Sequence, residues 1–529
     1  MGNGGSRRAP RSPRHGDLPC VDADVVAVGG GGAGLAAASS AAALGRRVVL
    51  IEKAGRLGGT TAWSVGSVTA INTPHQRRAG IADSADEHFE DLGLLAGGNA
   101  KRDNLALRRL LVENTTQMFD WLLSVGLVFA GPSPEPPHRR PRMHNVLPNS
   151  RAFPAVLGRH CRRRGVDIYT GLRARRLLLD GGRVCGVVAE AGDGAGLAFV
   201  ASSGVVLATG DFSAEPEMKA NFASPAAAKT PAVNGGSTGD GHKLAMALGA
   251  QIVNGDIVHG PRLRFVPPAR TSLVRRVPPW RIVGWVARMA AETLPDALRP
   301  VLMGFVTTAL GVEANLYRQG AILVNALGRR FADELAAPKD HLPHEPRATA
   351  YAILDGAIAE TFSRWPNFVS TAPGIAYAYI ADYRYNRRDI FHEAPSLEKL
   401  GSLIGVPGDA LAETVAASNT AASACGRSPL TRPPFIALGP IKPYVVFTDG
   451  GLRVTERLEV VGGDGRPIPG LYAAGSVGQG GLLLYGHGHH LAWAFISGRI
   501  AGRHAALAER GHDRRAREAT YVPSKHVQA

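Results

Sequence analysis

The segment Leu484–Phe495, LYGHGHHLAWAF, carries one tyrosine and three histidines where a glycine-rich loop becomes an apolar helix. The phenol of Tyr485 can donate a hydrogen bond to a carbonyl oxygen, and an imidazole can hold or move a proton near neutral pH. A helix that begins near Gly488 also offers unpaired backbone N–H groups and the positive end of its dipole. The segment therefore predicts acid–base chemistry beside a group that gains negative charge.

The three histidines of this segment allow more than one role. His487 and His490 are three residues apart and can share one face of a helix. A metal site there needs a further ligand that the segment does not supply, so the sequence assigns no metal. For each of His487, His489 and His490, packing or hydrogen bonding stays as open as catalysis.

The amino-terminal end predicts the element that would position this helix. An apolar strand, Val25–Val28, runs into three glycines at the spacing G-x-G-x-x-G, namely Gly29, Gly31 and Gly34. A helix of small residues follows, and a second strand over 47–51 ends at Glu52. Such glycines permit a tight turn, a close approach to pyrophosphate and helix–strand packing, while the acid binds ribose hydroxyls. The pattern predicts a dinucleotide-binding unit.

Five further motifs follow in a recognisable order. They are Glu52-Lys53 followed by Gly58-Gly59-Thr60-Thr61, then Gly204–Phe212, Thr238–Ala250, Gly320–Glu334 and Pro469–Gly475. Over roughly residues 23–510 the chain resembles the FAD-dependent flavoproteins of the fumarate reductase, succinate dehydrogenase and 3-ketosteroid dehydrogenase group. One departure is Asp211, which stands where that group usually has glycine.

The resemblance implies FAD as the cofactor. Covalent members carry a histidine near the Gly-Gly-Thr segment, and none occurs here, so the resemblance implies noncovalent FAD. The residues assigned to the cofactor are Gly29, Gly31, Gly32, Ala33, Gly34, Glu52, Lys53, Gly58, Gly59, Thr60, Thr61, Ala208, Thr209, Gly210, Asp240, Gly475, Ser476 and Leu491.

The same resemblance implies the domain organisation. The expected fold class is α/β, with a discontinuous Rossmann-like FAD-binding domain at 23–257 and 445–510 and an inserted α+β capping domain at 258–444. The arginine-rich residues 1–22 are expected to form a disordered basic tail, and 511–529 a carboxy-terminal tail.

The substrate-binding residues of the dicarboxylate reductases are largely missing. Those enzymes hold a carboxylate with an arginine after the second flavin segment, but no arginine occurs between Gly475 and Ser497. Phe447 stands where those enzymes have a histidine that also binds the substrate. Tyr317 stands at the position of the arginine that donates a proton in those enzymes. His259 resembles a histidine that is retained. Because a buried carboxylate without a cation costs several kcal/mol, these changes argue against a dicarboxylate.

The pattern of Tyr485 and Gly488 instead resembles that of the 3-ketosteroid dehydrogenases. In those enzymes a tyrosine and a backbone N–H polarise a ketone, and the flavin takes a hydride from a neighbouring carbon. The resemblance implies α,β-desaturation of a neutral, lipophilic ketone, with Tyr317 or His259 moving the proton. Arg318 would lower the pKa of Tyr317, and an external acceptor would receive the electrons.

Two alternatives stay open at this stage. One is a fumarate-reductase-like ene-reductase of a small unsaturated acid, with Arg262 or Arg318 as a rearranged grip. The other is a flavin-binding protein of the membrane surface with little catalytic activity. It would use the segment Arg262–Arg288, which has seven arginines and no acidic residue. Within it Trp280–Thr293 has amphipathic helical spacing, although packing within the cap explains that spacing equally well.

Composition narrows the setting. The net charge is +16, but the arginines lack interleaved aromatic residues and a nucleic-acid-binding motif, so no nucleic acid is expected. Four widely spaced cysteines argue against a disulfide framework and favour the cytoplasm, with association at a membrane left open.

Overall fold

A computed structural model describes residues 18–268, 277–293, 303, 307, 310–372, 376–422, 424 and 426–509. Most of the predicted basic tail, the whole predicted carboxy-terminal tail and much of 294–309 lie outside the described residues. The first strand begins at Cys20, so the predicted tail of 1–22 is three residues too long. Strand pairing explains the early start, because residues 20–22 are in parallel register with residues 198–200.

The strands are, in chain order, β1 (Cys20–Val28), β2 (Val48–Glu52), β3 (Ser67–Thr69), β4 (Val128–Ser133), β5 (Met143–Leu147), β6 (Asp167–Thr170), β7 (Arg173–Asp180), β8 (Arg183–Glu190), β9 (Gly196–Leu207), β10 (Ile252–Val253), β11 (Arg262–Phe265), β12 (Ile322–Asn325), β13 (Ala350–Leu354), β14 (Ser370–Ala372), β15 (Ala376–Ala378), β16 (Phe391–Ala394), β17 (Phe435–Tyr444), β18 (Gly451–Leu452), β19 (Glu459–Val461) and β20 (Pro467–Ala473).

The helices are α1 (Gly32–Ala43), α2 (Gly59–Trp63), α3 (Pro74–Arg78), α4 (Ala85–Ala96), α5 (Leu105–Ser124), α6 (Ala152–Arg163), α7 (Pro216–Phe222), α8 (Pro225–Lys229), α9 (Asp240–Met246), α10 (Arg281–Thr293), α11 (Ala314–Arg318), α12 (Pro338–His341), α13 (Gly356–Thr361), α14 (Ile380–Asn386), α15 (Leu397–Ile404), α16 (Gly408–Ala422) and α17 (His489–Leu507). Short 3₁₀ turns occur at 97–102, 342–344, 346–348 and 475–478.

The largest sheet has the order β19-β20-β9-β1-β2-β6, with β8 and β7 extending from β9. The strands β20, β9, β1, β2 and β6 run parallel. Residues Val25–Val28 of β1 are buried because helices and strands cover this central strand. The carboxyl ends of the parallel strands share one edge, which is where such folds bind ligands.

Close packing of two helices fixes where the segment of Tyr485 lies. On α17, a Cβ added to Gly498 or Gly502 would overlap the carbonyl oxygen of Ala33 or Ala37 on α1. The missing side chains therefore allow the two backbones to touch. Since α1 begins directly after the glycine-rich turn, this contact places the middle of α17 beside that turn, and the start of α17 at His489 extends about 13 Å beyond it.

A second sheet, with the order β11-β17-β13-β12 and β16 paired to β17, is antiparallel. It supports its own apolar cluster between Phe265 and Ile441, separate from the large cluster that spans Ala23–Ala506. The predicted fold class, an α/β domain with an inserted α+β domain, is confirmed. The boundaries at 257/258 and 444/445 stay a prediction that both clusters support.

Within the part of the chain that the structure describes, no helix combines the length and the apolar character that crossing a bilayer requires.

Candidate active site

A cavity of about 820 Å³ opens at the carboxyl edge of the parallel strands. Its volume is typical of a small-molecule or cofactor site. It is lined by fifteen of the residues that the sequence assigns to the cofactor: Gly29, Gly31, Gly32, Ala33, Glu52, Lys53, Gly59, Thr60, Thr61, Ala208, Thr209, Gly210, Asp240, Gly475 and Ser476.

Three assigned residues, Gly34, Gly58 and Leu491, are not among the described residues that line this cavity. Gly34 instead permits the turn, because a Cβ there would overlap the carbonyl oxygen of Gly29. Leu491 packs in the large apolar cluster. The sequence missed several polar lining residues, which carry no motif of their own: Arg56, Arg151, Arg162, Asn234 and Ser237.

The glycine-rich turn leaves a backbone cradle beside the start of α1. Gly29 has φ +115°, a conformation that favours glycine, and its N–H donates to the carbonyl of Ile51 at 2.7 Å. A Cβ added to Gly31 would meet nothing nearer than 3.9 Å, so the space in front of Gly31 is open. This arrangement suits a pyrophosphate at a helix N-terminus.

The carboxylate of Glu52 is held rigidly at the end of β2. Its Oε2 accepts a hydrogen bond from the N–H of Gly30 at 2.7 Å, and its Oε1 accepts one from the N–H of Ala54 at 2.7 Å. Two backbone donors therefore orient a buried acceptor toward the cavity. That geometry fits the predicted ribose contact.

Asp240 lies between two cations on the cavity wall. It accepts hydrogen bonds from Lys53 at 2.9 Å and from Arg173 at 2.5 Å. Burial acts to raise the pKa of Asp240, but the bond from Arg173 and the charge of Lys53 outweigh burial and lower it. The carboxylate thus stays ionised and organises two positive side chains beside the cavity.

A second group of side chains forms a wall of four rings, made of His490, Phe447, His259 and Tyr485. Phe447 contacts both His490 and His259 at 4.2 Å between ring centroids, and His259 meets Tyr485 edge-on at 5.4 Å. The wall brings together His259 and Tyr485, two of the predicted catalytic residues, from positions 226 residues apart in the chain.

His259 is fixed both by its backbone and by its ring. Its N–H donates to the carbonyl of Phe447 at 3.0 Å, and its Nε2 lies 2.8 Å from Oδ2 of Asp449. The other carboxylate oxygen of Asp449 accepts from Gln479 at 3.1 Å. A carboxylate on Nε2 selects the tautomer in which Nδ1 can accept a proton.

The hydroxyl of Tyr485 accepts a hydrogen bond from Nδ2 of Asn99 at 2.8 Å. A phenol that accepts one bond still has its own proton to donate. The Tyr485 hydroxyl is therefore oriented as a donor to a further group. Asn99 lies in the 3₁₀ turn at 97–102, where no sequence motif marks it.

Gly488 has φ +90°, and a Cβ there would lie 2.7 Å from the backbone N of Thr69. The carbonyl of His487 accepts from Oγ1 of Thr69 at 2.6 Å. The carbonyl of His487 and the N–H of Gly488 belong to one trans peptide unit, in which these two groups point in opposite directions. The N–H of Gly488 therefore points away from β3. Helix α17 begins at the next residue, as predicted.

The three histidines of the opening segment separate into three surroundings. The ring of His487 pairs with Glu135 at 2.5 Å and is half-exposed. His489 is buried, with its Nε2 3.1 Å from Nε2 of His88. Only His490 joins the ring wall, and its buried Nε2 has no hydrogen-bond partner in the described structure.

The ring wall is linked to the cavity through two loops. Asp211 follows the cavity residue Gly210, and its Oδ2 accepts from the N–H of Thr448 at 3.0 Å. Gln479, which binds Asp449, follows the cavity residues Gly475 and Ser476. Asp211, the one departure from the motif, therefore holds the loop that carries Phe447 and Asp449.

Tyr317 is in the wrong place for the predicted base. It is buried in the apolar cluster of the inserted domain, and burial raises the pKa of Tyr317 far above its usual value. The expected lowering by Arg318 is wrong, because desolvation dominates. We therefore leave Tyr317 out of the chemistry.

Buried histidines make the protein sensitive to acid. Burial lowers the pKa of His144 to about 3 and the pKa values of His242 and His490 to about 4, from 6.5. Below pH 6.5 the unfolded chain therefore binds more protons than the folded one. We expect the free energy of unfolding to fall by about 1.4 kcal/mol per pH unit for each histidine, down to about pH 4.

Urea unfolding of the FAD-saturated protein between pH 7.5 and pH 5 checks this expectation. His242→Gln should flatten the dependence on pH, whereas His341→Gln, at an exposed position, should not. An unfolding free energy that is constant over this range would contradict the account.

Comparison with known proteins identifies the family. The model of the FAD binding domain family matches residues 24–278 and 285–486. The chain belongs to this family. It is an FAD-dependent oxidoreductase that acts on CH–CH groups, so a flavin-binding protein without catalysis is set aside.

Several proteins of known structure or activity are similar to this chain over most of its length. The fumarate reductase (cytochrome) of Shewanella frigidimarina is 27% identical over 520 residues, which cover 94% of this chain and 80% of that protein. A flavocytochrome c3 fumarate reductase in its open conformation has a TM-score of 0.71 at 23% identity, covering 92% and 78%. The 3-ketosteroid Δ4-(5α)-dehydrogenase of Rhodococcus jostii RHA1 has a TM-score of 0.57 at 24% identity, covering 93% and 97%.

The residues present fit FAD as the cofactor of this family member. The open cradle at Gly31 and the start of α1 would hold the pyrophosphate, and Glu52 would hold the ribose. The segments at Gly59–Thr61 and Gly475–Ser476 would hold the flavin. Bound FAD supplies an acceptor or donor for hydride.

Proposed function

We propose that the enzyme desaturates the carbon–carbon bond next to the ketone of a neutral, lipophilic molecule, or reduces the same bond in reverse. The observation that carries this proposal is the ring wall, in which a donor hydroxyl, a carboxylate-backed imidazole and an apolar ring stand side by side. Such a wall can bind a flat, uncharged substrate and still move a proton.

Each polar group of the wall has one task. The Tyr485 hydroxyl, oriented by Asn99, donates to the ketone oxygen, and the N–H of Gly488 is the second donor. Polarising the carbonyl makes the neighbouring C–H more acidic. His259 then takes that proton on Nδ1, while Asp449 stabilises the imidazolium through Nε2. Bound FAD would accept the hydride that leaves the adjacent carbon, and an external acceptor would then take up the two electrons.

Phe447 supports an uncharged substrate. It contacts both His259 and His490, and it occupies the position where the dicarboxylate reductases are expected to have a histidine. Burial lowers the pKa of His490 to about 4, so that ring is neutral near pH 7. A substrate carboxylate packed against Phe447 and His490 would lack a cationic partner, and burying an unpaired charge costs free energy.

A small unsaturated acid is the second candidate, and Arg102 favours it. This guanidinium lies close enough to Tyr485 and Asp449 to interact with them electrostatically. It is half-exposed and is bound by both oxygens of Asp256, at 2.9 and 2.5 Å. An acidic substrate would have to displace Asp256, and Arg102 joins Arg262 and Arg318 as a candidate grip.

Anaerobic titration of the yellow holoenzyme separates the two candidates. We expect a saturated 3-ketosteroid to bleach the flavin absorbance, and we expect succinate to leave it unchanged. The chemically reduced enzyme should be reoxidised by an enone and not by fumarate. Reoxidation by fumarate alone would contradict the proposal.

The variant Arg102→Gln gives the matched control for this titration. Removing the guanidinium should abolish any reaction with fumarate. It should change the rate of the ketone reaction by no more than about twofold, as expected for an exposed charge that does not contact the reacting group. Loss of the ketone reaction in this variant would instead show that Arg102 takes part in the reaction of the ketone.

A further inference from the structure

Helix α10 (Arg281–Thr293) exposes an unusual amount of apolar surface. Trp280, Ile282, Trp285, Val286 and Met289 are between 45% and 75% exposed. At 3.6 residues per turn the last four lie on one side of the helix. Isolated apolar residues at a surface are ordinary, but five large ones on a single turn-and-helix segment form a patch of the kind that marks an interaction site.

The opposite side of α10 is anchored to the FAD domain. A Cβ added to Gly284 would lie 3.1 Å from the carbonyl oxygen of Leu147 and 3.2 Å from Cβ of Val128. These contacts are with β5 and β4, so the helix lies flat on a small sheet. Because the side of Gly284 packs on this sheet, the opposite, apolar side of the helix faces outward and does not fill a gap between the domains.

The charge around this face indicates what it binds. Arg281 and Arg288 belong to α10, whose one acidic residue is Glu292, and the exposed Arg159 donates to the carbonyl of Pro279, two residues before the helix, at 3.5 Å. Cations next to exposed tryptophans match the anionic headgroups and the interfacial region of a bilayer.

We infer that α10 is a membrane-docking helix, which lies in the interface of an anionic bilayer with Ile282, Trp285, Val286 and Met289 inserted. The helix does not cross the bilayer. Docking would bring the enzyme to the phase in which lipophilic molecules are concentrated. The inference stands independently of the proposed ketone, because binding to a membrane can be measured without any substrate.

Sedimentation of the full-length holoenzyme with vesicles tests the inference. Vesicles of phosphatidylcholine that contain phosphatidylglycerol should pull down the protein, and vesicles of phosphatidylcholine alone should pull down less. The triple variant Ile282→Ser, Trp285→Ser and Met289→Ser should reduce the bound fraction by about tenfold or more, since it removes the apolar face without changing charge.

The matched control is the double variant Leu94→Ser and Trp365→Ser, which changes equally exposed residues outside α10 and should bind as the wild type does. FAD absorbance and thermal unfolding confirm that all proteins are folded. Wild-type binding by the triple variant would overturn the inference, because docking would then not depend on the apolar face of α10. The wild-type protein could instead bind neither kind of vesicle and form dimers that the triple variant abolishes. That result would assign the face to a second copy of the chain.

Discussion

Replacing Gly31 by valine is expected to yield a folded protein that does not retain FAD. The space in front of Gly31 is open, and its nearest neighbour would be 3.9 Å from a Cβ, so the fold tolerates a side chain there. That side chain would occupy the cradle that the pyrophosphate needs. We expect FAD affinity to fall about a hundredfold or more, roughly 2.7 kcal/mol, measured as flavin bound after dialysis.

Gly34 supplies the contrast for this experiment. A Cβ at Gly34 would overlap the carbonyl oxygen of Gly29, within the turn itself. Gly34→Ala should therefore lower the unfolding temperature of the cofactor-free protein, which Gly31→Val should not. Full FAD content in Gly31→Val would show that the cofactor does not pass over this glycine.

The cofactor side of the molecule was predictable because local sequence determines it. The strand ending at Val28, the turn glycines and the acid at Glu52 lie within 30 residues, and each has a steric or electrostatic role that follows from its type. The second strand was predicted one residue early, at 47–51 instead of Val48–Glu52. Helix α17 was predicted because glycines precede an apolar run.

The substrate side was only partly predictable because tertiary packing assembles it. Asn99 and Tyr485 are 386 residues apart, and an asparagine in a 3₁₀ turn resembles any other polar loop residue. Asp449 gave no signal either, since its role appears only when the loop at 447–449 pairs with His259. Tyr317 failed as a prediction because neighbouring Arg318 was visible in the sequence and burial was not.

The histidines of the opening segment show the same limit. Their spacing allowed His487 and His490 to share a helix face, but His487 pairs with Glu135, His489 with His88, and His490 with Phe447. His487 precedes α17, and within the helix the side chains of His489 and His490 point about 100° apart, so the three rings meet different elements. The chemistry of each ring follows from the element it meets.

Replacing Tyr485 by phenylalanine is expected to lower the rate of flavin reduction by about 100-fold to 1,000-fold, the usual cost of losing one donor to a developing oxyanion. The phenyl ring can keep the edge contact with His259, which lies at 5.4 Å between centroids. The wall should therefore stay assembled, and FAD should stay bound. Stopped-flow measurement of flavin bleaching by a ketone gives the rate, and the visible spectrum gives the FAD content.

Two further variants decide what such a loss means. Asn99→Ala should reduce the same rate by about tenfold, because the hydroxyl of Tyr485 keeps its proton but loses the bond that orients it. Tyr385→Phe, at an exposed tyrosine, should have no effect. A Tyr485→Phe enzyme with an unchanged rate would remove this hydroxyl from the chemistry, and loss of FAD together with the rate would assign Tyr485 to the fold.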